Sequence, residues 1–312
     1  MVAAMSLPVG VTLPNYGPLA GAEALSGLAR HAERLGFDSV WVADHLVVPC
    51  DVESIYPFDR RAQPAPARLA GLVEFYEPLT TLAYVAAVTE RIRLGVSVYV
   101  VPYRNPVVTA KLVATLDALS GGRVIFGAGV GWLREEFGAV GADPSRRGRV
   151  TDEYLEICRR LWRDEVSSFS GAHYQLPPVR SGPKPTQRPW PPIWIGGNSE
   201  AALTRAVALG DGLHLIDLSA AEIAPIGTRL AERLQTAGRR RGDFTLSLRT
   251  SVVANDDAPA QQGTAGTLET LQRERDAYAR AGVEYFVVGP RPPASIERLE
   301  AMFTDIAAAL LR

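Results

Sequence analysis

Asp44-His45, directly after the apolar run VWVA, is the pair whose residue types and position most readily suggest chemistry. An imidazole titrates near neutral pH, so a histidine at a strand end can give or take a proton, and an adjacent carboxylate can orient it. A histidine that only hydrogen-bonds a loop backbone fits the same spacing, and spacing alone does not separate the two. Two glycine-rich turns follow: Gly127-Ala-Gly-Val-Gly131 and Gly196-Gly197-Asn198-Ser199. Glycines at strand ends let a flat ring or a phosphate approach the backbone, and a helix N-terminus offers free N–H groups to an anion. Taken singly, each is also what a tight turn needs. His31, His173 and His214 are scattered, with neither HxH nor HExxH spacing, so no metal centre is expected. His214, inside GLHLI, is a minor candidate for lining a substrate site, although a histidine in an apolar strand is more often structural. GxSxG and CxxC are absent, which removes the usual signals of nucleophilic hydrolysis and thiol redox chemistry.

The elements that must position these residues alternate. Apolar, β-branched runs predict strands over 8–13, 38–43, 92–99, 123–128, 192–196, 212–216, 244–253 and 284–289. Helical patterns lie over 20–35, 78–90, 106–119, 150–163, 199–209, 219–240, 267–281 and 294–311. Eight such units in 312 residues fit a TIM-type (β/α)8 barrel with loop insertions, a single α/β domain over 1–312, better than an open doubly wound sheet. In the helix over 150–163, early Asp152 and Glu153 and late Arg159 and Arg160 match the macrodipole. Gly210 and Gly282 stand where left-handed C-caps are expected. Segments 46–77, 165–191 and 254–266 are too long for simple connections. The first and last of these follow strands, which places them at the catalytic face of a barrel as candidate lids.

Composition sets the outer bounds. There are 33 basic and 34 acidic residues, with Lys111 and Lys184 the only lysines, so the net charge of −1 gives no electrostatic case for nucleic acid. Two cysteines, Cys50 and Cys158, make no disulfide framework. Neither a signal peptide nor an apolar stretch long enough to span a membrane is visible. The expectation is a soluble cytoplasmic protein that acts on a small molecule.

The ordered set LGFDSVWVADH, YEPLTTLAYVAAVTERIRLGVSVYVVPYRNPVVTAKLVATLDALSGGRVIFGAGVGW, DEYLEICRRLW and PPIWIGGNSEAALTRAVALGDG resembles the luciferase-like monooxygenase superfamily, in particular its coenzyme F420-dependent branch. GVEYFVVG is similar to the family's last strand. The resemblance implies a TIM-type barrel with an isoalloxazine-type ring at its mouth. It implies that Asp44 and His45 face the ring, His45 as catalytic proton donor or acceptor, and that Ser97 and Val98 form a bulge behind it, joined by a cis peptide in deazaflavin members. It further implies that Gly129, Val130 and Gly131 flank the ring, that Gly196, Gly197, Asn198, Ser199 and Glu200 hold the phosphate, and that the protein is a homodimer. Two departures matter. Trp132 stands where sugar-phosphate-oxidising members carry a glutamate, which would leave the histidine without its acid–base partner and puts Trp132, with His214, against the substrate. Arg147-Gly148 replaces the Arg-Tyr pair common in flavin mononucleotide (FMN) members, which favours F420. The leading expectation is an F420-dependent oxidoreductase. The alternatives are a monooxygenase using reduced FMN and oxygen, and a coenzyme-binding protein without turnover.

Overall fold

The computed structural model describes residues 7–58, 73–253, 266–291 and 295–311. Along the chain the first half runs β1 (Val9–Thr12), α1 (Ala22–Leu35), β2 (Ser39–Val42), α2 (Pro78–Val88), β3 (Arg93–Val96), β4 (Tyr99–Val100), α3 (Pro106–Leu119), β5 (Val124–Gly129), α4 (Arg134–Ala139) and α5 (Arg147–Arg163). The second half continues with β6 (Ser167–Ser170), β7 (Gln175–Val179), β8 (Ile193–Gly196), α6 (Glu200–Leu209), β9 (Gly212–Ile216), α7 (Ala220–Thr236), β10 (Thr245–Val253), β11 (Gly266–Thr267), α8 (Leu268–Arg280), β12 (Tyr285–Pro290) and α9 (Ile296–Leu310). Strands β1, β2, β3, β5, β8, β9, β10 and β12 pair in parallel in that order, and β12 returns to β1, closing an eight-stranded barrel. Among the described residues no helix is long and apolar enough to cross a membrane.

Both faces of these strands are covered, which is why they read as nearly unbroken apolar runs. The outward residues, such as Val40, Leu94, Phe126, Leu246 and Leu248, pack with the helices in one continuous core. The inward residues form a second cluster of Trp41, Ile125, Trp194, Tyr285 and Val287. Trp41 stacks on Trp194 at 5.4 Å between ring centroids and on the His214 ring at 5.3 Å. Indoles of this size fit inside an eight-stranded barrel only where neighbouring strands lack side chains. A Cβ on Gly10 or Gly95 would fall within 2.5 Å of Trp41 atoms. The indole N–H of Trp41 donates to Ser39 Oγ at 2.6 Å, and the same oxygen lies 2.5 Å from Tyr285 Oη, so the polar edges of this aromatic plug are satisfied.

Several expectations need correction. The strand read over 92–99 breaks at Ser97-Val98, whose peptide is cis, and resumes as β4 against β5. The segment 165–191 contains an antiparallel hairpin, β6–β7, masked in the sequence by Pro177 and Pro178, which a two-stranded edge ribbon tolerates. Helix α5 begins at Arg147, so Asp152 and Glu153 lie beyond its first turn and do not complement the dipole. Their carboxylates tie elements together: Asp152 pairs with Arg205, and Glu153 accepts from the N–H groups of Ala172, His173 and Tyr174 at the hairpin turn. Gly282 adopts the left-handed conformation at φ +96°, but Gly210 is extended at φ −100°. Gly210 is required by packing, since a Cβ there would lie 2.9 Å from Ile195 Cγ1. Of the two candidate lids, 59–72 of the first and 254–265 of the second lie outside the described residues.

The aromatic plug generates a stability test. Gly95→Ala should lower the unfolding free energy by about 1–3 kcal/mol through overpacking against Trp41. Gly27→Ala, in the interior of α1 where a Cβ meets open space, should raise it by about 0.5–1 kcal/mol. Urea titration of both variants checks this, and a Gly95→Ala protein as stable as its parent contradicts the packing account.

Candidate active site

At the C-terminal ends of the barrel strands lies a cavity of about 810 Å³. Ala43, Asp44 and His45 reach it from the end of β2, Ser97 and Val98 from the β3–β4 break, Gly129 to Trp132 from the end of β5, and Gly196 to Ser199 from the end of β8. Tyr16, Tyr56, Phe58 and Phe75 wall one side, and Arg147, Arg205 and Arg249 contribute the positive charge.

His45 is oriented by Glu136. Its Nδ1–H donates to Glu136 Oε2 at 2.6 Å, and its ring meets Phe75 and Trp132 edge to face at 5.1 and 6.1 Å. Glu136 is fully buried and has other donors: the backbone N–H of Leu46 at 2.6 Å and of Val47 at 3.3 Å, and the Tyr103 hydroxyl at 3.0 Å. Burial and the facing Glu136 charge push the Tyr103 hydroxyl well above the usual phenol range, so it stays a donor. With Nδ1 committed, Nε2 is the His45 nitrogen left for the cavity.

Asp44, expected to orient His45, does not do so. Neighbours on extended backbone project to opposite sides, and the Asp44 carboxylate takes a bidentate pair from Arg104, 2.8 Å on each oxygen, plus the Val100 N–H at 2.8 Å. Burial pushes the Asp44 carboxyl up and Arg104 opposes that, while Asp44 in turn raises the guanidinium above its ordinary value. The pair locks the end of β2 to β4. The expectation that Trp132 leaves the histidine without an acidic partner is likewise corrected. The carboxylate comes four residues later, from α4, and Trp132 is an aromatic wall that also meets Tyr56 at 5.1 Å.

The glycines at the mouth serve Val98 first. A Cβ on Gly129 would lie 2.3 Å from Val98 Cγ2, and one on Gly196 would lie 2.5 Å from Val98 Cγ1. The isopropyl group is wedged between β5 and β8 and forms an apolar floor. Gly131, at φ +79°, is packed against Val100 and Phe137, and Val130 lines the cavity beside it.

At the far end, Ser199 is the N-cap of α6, accepting from Ala202 N–H at 3.2 Å. The N–H groups of Glu200 and Ala201 remain without intrahelical partners. Asn198 is not the cap: its side chain bonds Ile216 in both directions, at 2.8 and 2.9 Å, tying the turn to β9. Gly197 carries φ +128°. Glu200, expected at the phosphate, turns away to Arg233 and Arg229. Arg147 and Ser145, which stand beside this helix start in the cavity lining, were not among the expected site residues. Arg147 donates to Pro144 O at 2.7 Å and has no carboxylate partner among the described residues. Arg205 is held by Asp152 and Gly148 O.

His214, expected against the substrate, has no exposed surface and does not line the cavity. It lies beneath Ser97, with Nε2 2.9 Å from Ser97 Oγ and Nδ1 2.8 Å from Ser247 Oγ. Burial, with the charge of Arg249 second, pushes its pKa down to about 3, so it is a neutral strut. The linkage has a definite sign. As pH falls from about 6.5 the unfolded chain takes up a proton here and the folded chain does not until about 3, so stability declines across that window. Between pH 6 and 4 the unfolding free energy should fall more steeply in the parent than in His214→Gln, by about 1.4 kcal/mol per pH unit. Equal slopes would mean that the imidazole is protonated inside the fold.

The model of the family described as luciferase-like monooxygenase matches residues 4–300. A protein of Mycobacterium tuberculosis is 36% identical over 168 residues, 54% of this chain and 58% of its own length. The F420-dependent glucose-6-phosphate dehydrogenase of Kineococcus radiotolerans is 31% identical over 247 residues, 76% of this chain and 65% of its own length. The chain thus spans under two thirds of these relatives. Among solved structures, monooxygenase RslO1 from Streptomyces bottropensis superposes with a TM-score of 0.76 at 22% identity, covering 98% of this chain and 99% of that one. An F420-dependent secondary alcohol dehydrogenase gives 0.78 at 18% identity with the same coverage. These two likenesses establish the shared fold, and the match along nearly the whole sequence establishes the family: the chain belongs to the luciferase-like monooxygenases.

Proposed function

We propose that the protein is a coenzyme F420-dependent oxidoreductase that moves a hydride between the deazaflavin and a small organic substrate. The observation that carries the reading is a single cavity with a histidine–carboxylate pair, His45–Glu136, and a separate cationic end at the start of α6. The residues present fit the coenzyme. About 810 Å³ accommodates a tricyclic ring with room for a substrate. Val98 offers an apolar floor, with Ser97, Gly129, Val130 and Gly131 around it. Arg147, Ser145, Gly197 and the free N–H groups of Glu200 and Ala201 suit a phosphate. The similarity to an F420-dependent relative favours the deazaflavin over FMN. So does Gly148, which stands where FMN members commonly carry a tyrosine.

When bound, the coenzyme supplies a two-electron hydride carrier. His45 Nε2 holds or takes the proton of the reacting group, and Glu136 fixes the orientation of the imidazole through Nδ1. Phe75, Tyr56 and Trp132 keep water from the reacting face. Oxidised F420 should bind at least tenfold more tightly than FMN, a difference of about 1.4 kcal/mol, when each is titrated into the protein with absorbance as readout. Arg147→Gln should weaken F420 by about tenfold and its dephosphorylated form much less. Tighter binding of FMN would move the assignment to the flavin monooxygenases.

We also propose that the protein is a homodimer. Val108, Leu112 and Leu119 form one exposed apolar stripe on α3, with Tyr84 exposed on the adjacent α2. This stripe suits a second copy. Leu112→Glu should shift sedimentation from dimer to monomer, and a parent protein that sediments as a monomer would end the idea.

A further inference from the structure

Arg249 is a charged residue whose guanidinium has no partner among the described residues. On β10, Leu246 and Leu248 face the helices, while Ser247 and Arg249 alternate with them toward the barrel axis. Ser247 is spent on His214, one layer below. Arg249 lines the cavity beside Gly289, where a Cβ would stand in ordinary contact, 3.7 Å from Arg249 Nη2. Its Nε is buried and has no hydrogen-bond partner, and no carboxylate of the described residues pairs with its guanidinium.

The nearby charged groups are mostly committed. Asp44, the one carboxylate of the lining among the described residues, belongs to Arg104, and Arg205 belongs to Asp152. His214 beneath is neutral and bonded at both nitrogens. Arg147, the other guanidinium of the lining without a carboxylate among the described residues, stands at the start of α5, which follows β5 and the short helix α4. Going round the barrel from β5, the strand of Arg249 comes third, after β8 and β9. The lining thus carries two guanidiniums without a carboxylate among the described residues, on different elements, and a coenzyme phosphate held by Arg147 and the start of α6 would leave Arg249 for a second oxyanion. An arginine is charged at all working pH values and carries five donors in a fork that fits an oxyanion. Arg249 is half-buried, and its Nε, which is buried and unbonded, is unfavourably placed unless a ligand at the guanidinium offsets the loss.

We propose that Arg249 is a specificity-determining residue that receives an oxyanion of the substrate, a carboxylate or a group of like geometry, and that the substrate is therefore an anionic small molecule rather than a neutral alcohol. The proposal rests on reading this cavity as the coenzyme and substrate site. It is tested with benzoate and benzyl alcohol, which differ in charge at similar size and suit the walls of Phe75, Tyr56 and Trp132. Each is titrated calorimetrically into the protein loaded with oxidised F420, and into the protein alone. Benzoate should bind at least tenfold more tightly than benzyl alcohol. Arg249→Met should abolish that preference, and Arg249→Lys should retain part of it. Equal binding of the two probes by the parent overturns the proposal, as does a preference that survives in Arg249→Met. A tenfold loss of F420 affinity in Arg249→Met, with no benzoate preference in the loaded parent, would assign the guanidinium to the coenzyme and also overturn it. If the protein binds no F420, the reading of the coenzyme fails, while an Arg249-dependent preference for benzoate in the protein alone still upholds the anion site.

Discussion

The Glu136 carboxylate has no contact with solvent, and four donors converge on it: the His45 imidazole, the Tyr103 hydroxyl and the N–H groups of Leu46 and Val47. A buried carboxylate needs its partners, since removing one from such a group costs about 3–5 kcal/mol. That requirement fixes the path of the chain as it leaves β2, places the short helix α4 over the barrel mouth, and aims His45 into the cavity. Asp44 makes a parallel arrangement one residue earlier, joining the same strand end to Arg104 and β4. Adjacent residues thus anchor the strand end in two directions, and of the two it is His45 that presents an uncommitted nitrogen to the cavity, the basis of its proposed role.

Beneath that rim the barrel is filled by volume exchange. Trp41 on β2 occupies space left by Gly10 and Gly95, Trp194 on β8 space left by Gly212, and Val98 space left by Gly129 and Gly196. Polar atoms inside the barrel are bonded in layers: Ser39 with Trp41 and Tyr285, then Ser97 and Ser247 with His214. Arg249, one layer higher, is where this satisfaction stops. That change from complete to incomplete bonding is what the proposed anion site rests on.

The barrel was legible in the sequence because strands buried on both faces leave runs such as VWVA and YFVV, spaced by helical patterns, and eight of these admit few architectures. The β6–β7 hairpin was not, since its prolines and exposed residues carry no alternating pattern. At the site, Asp44-His45 drew attention as neighbours, yet neighbours on extended backbone diverge, and the true partner lies 91 residues away on a different element. No local spacing announces Glu136; the sequence offers only an acid beside Phe137 in the short REEF segment. Glu200 misled in the same way, because a residue at a helix start can point along either side of it. Arg249 gave one faint sign, a charge at an alternating position in the strand TLSLRTSVV, which becomes informative only once the closed barrel shows which side is the interior.

In the proposed complex one cavity holds a deazaflavin between the Val98 floor and His45, with its phosphate at the start of α6. A crystal structure of the protein with oxidised F420 should show the ring resting on Val98, His45 facing the opposite side of the ring, and the phosphate within hydrogen-bond distance of Arg147 and the Ala201 N–H. A ring bound away from Val98, or a phosphate held at Arg249 in place of Arg147, would contradict it.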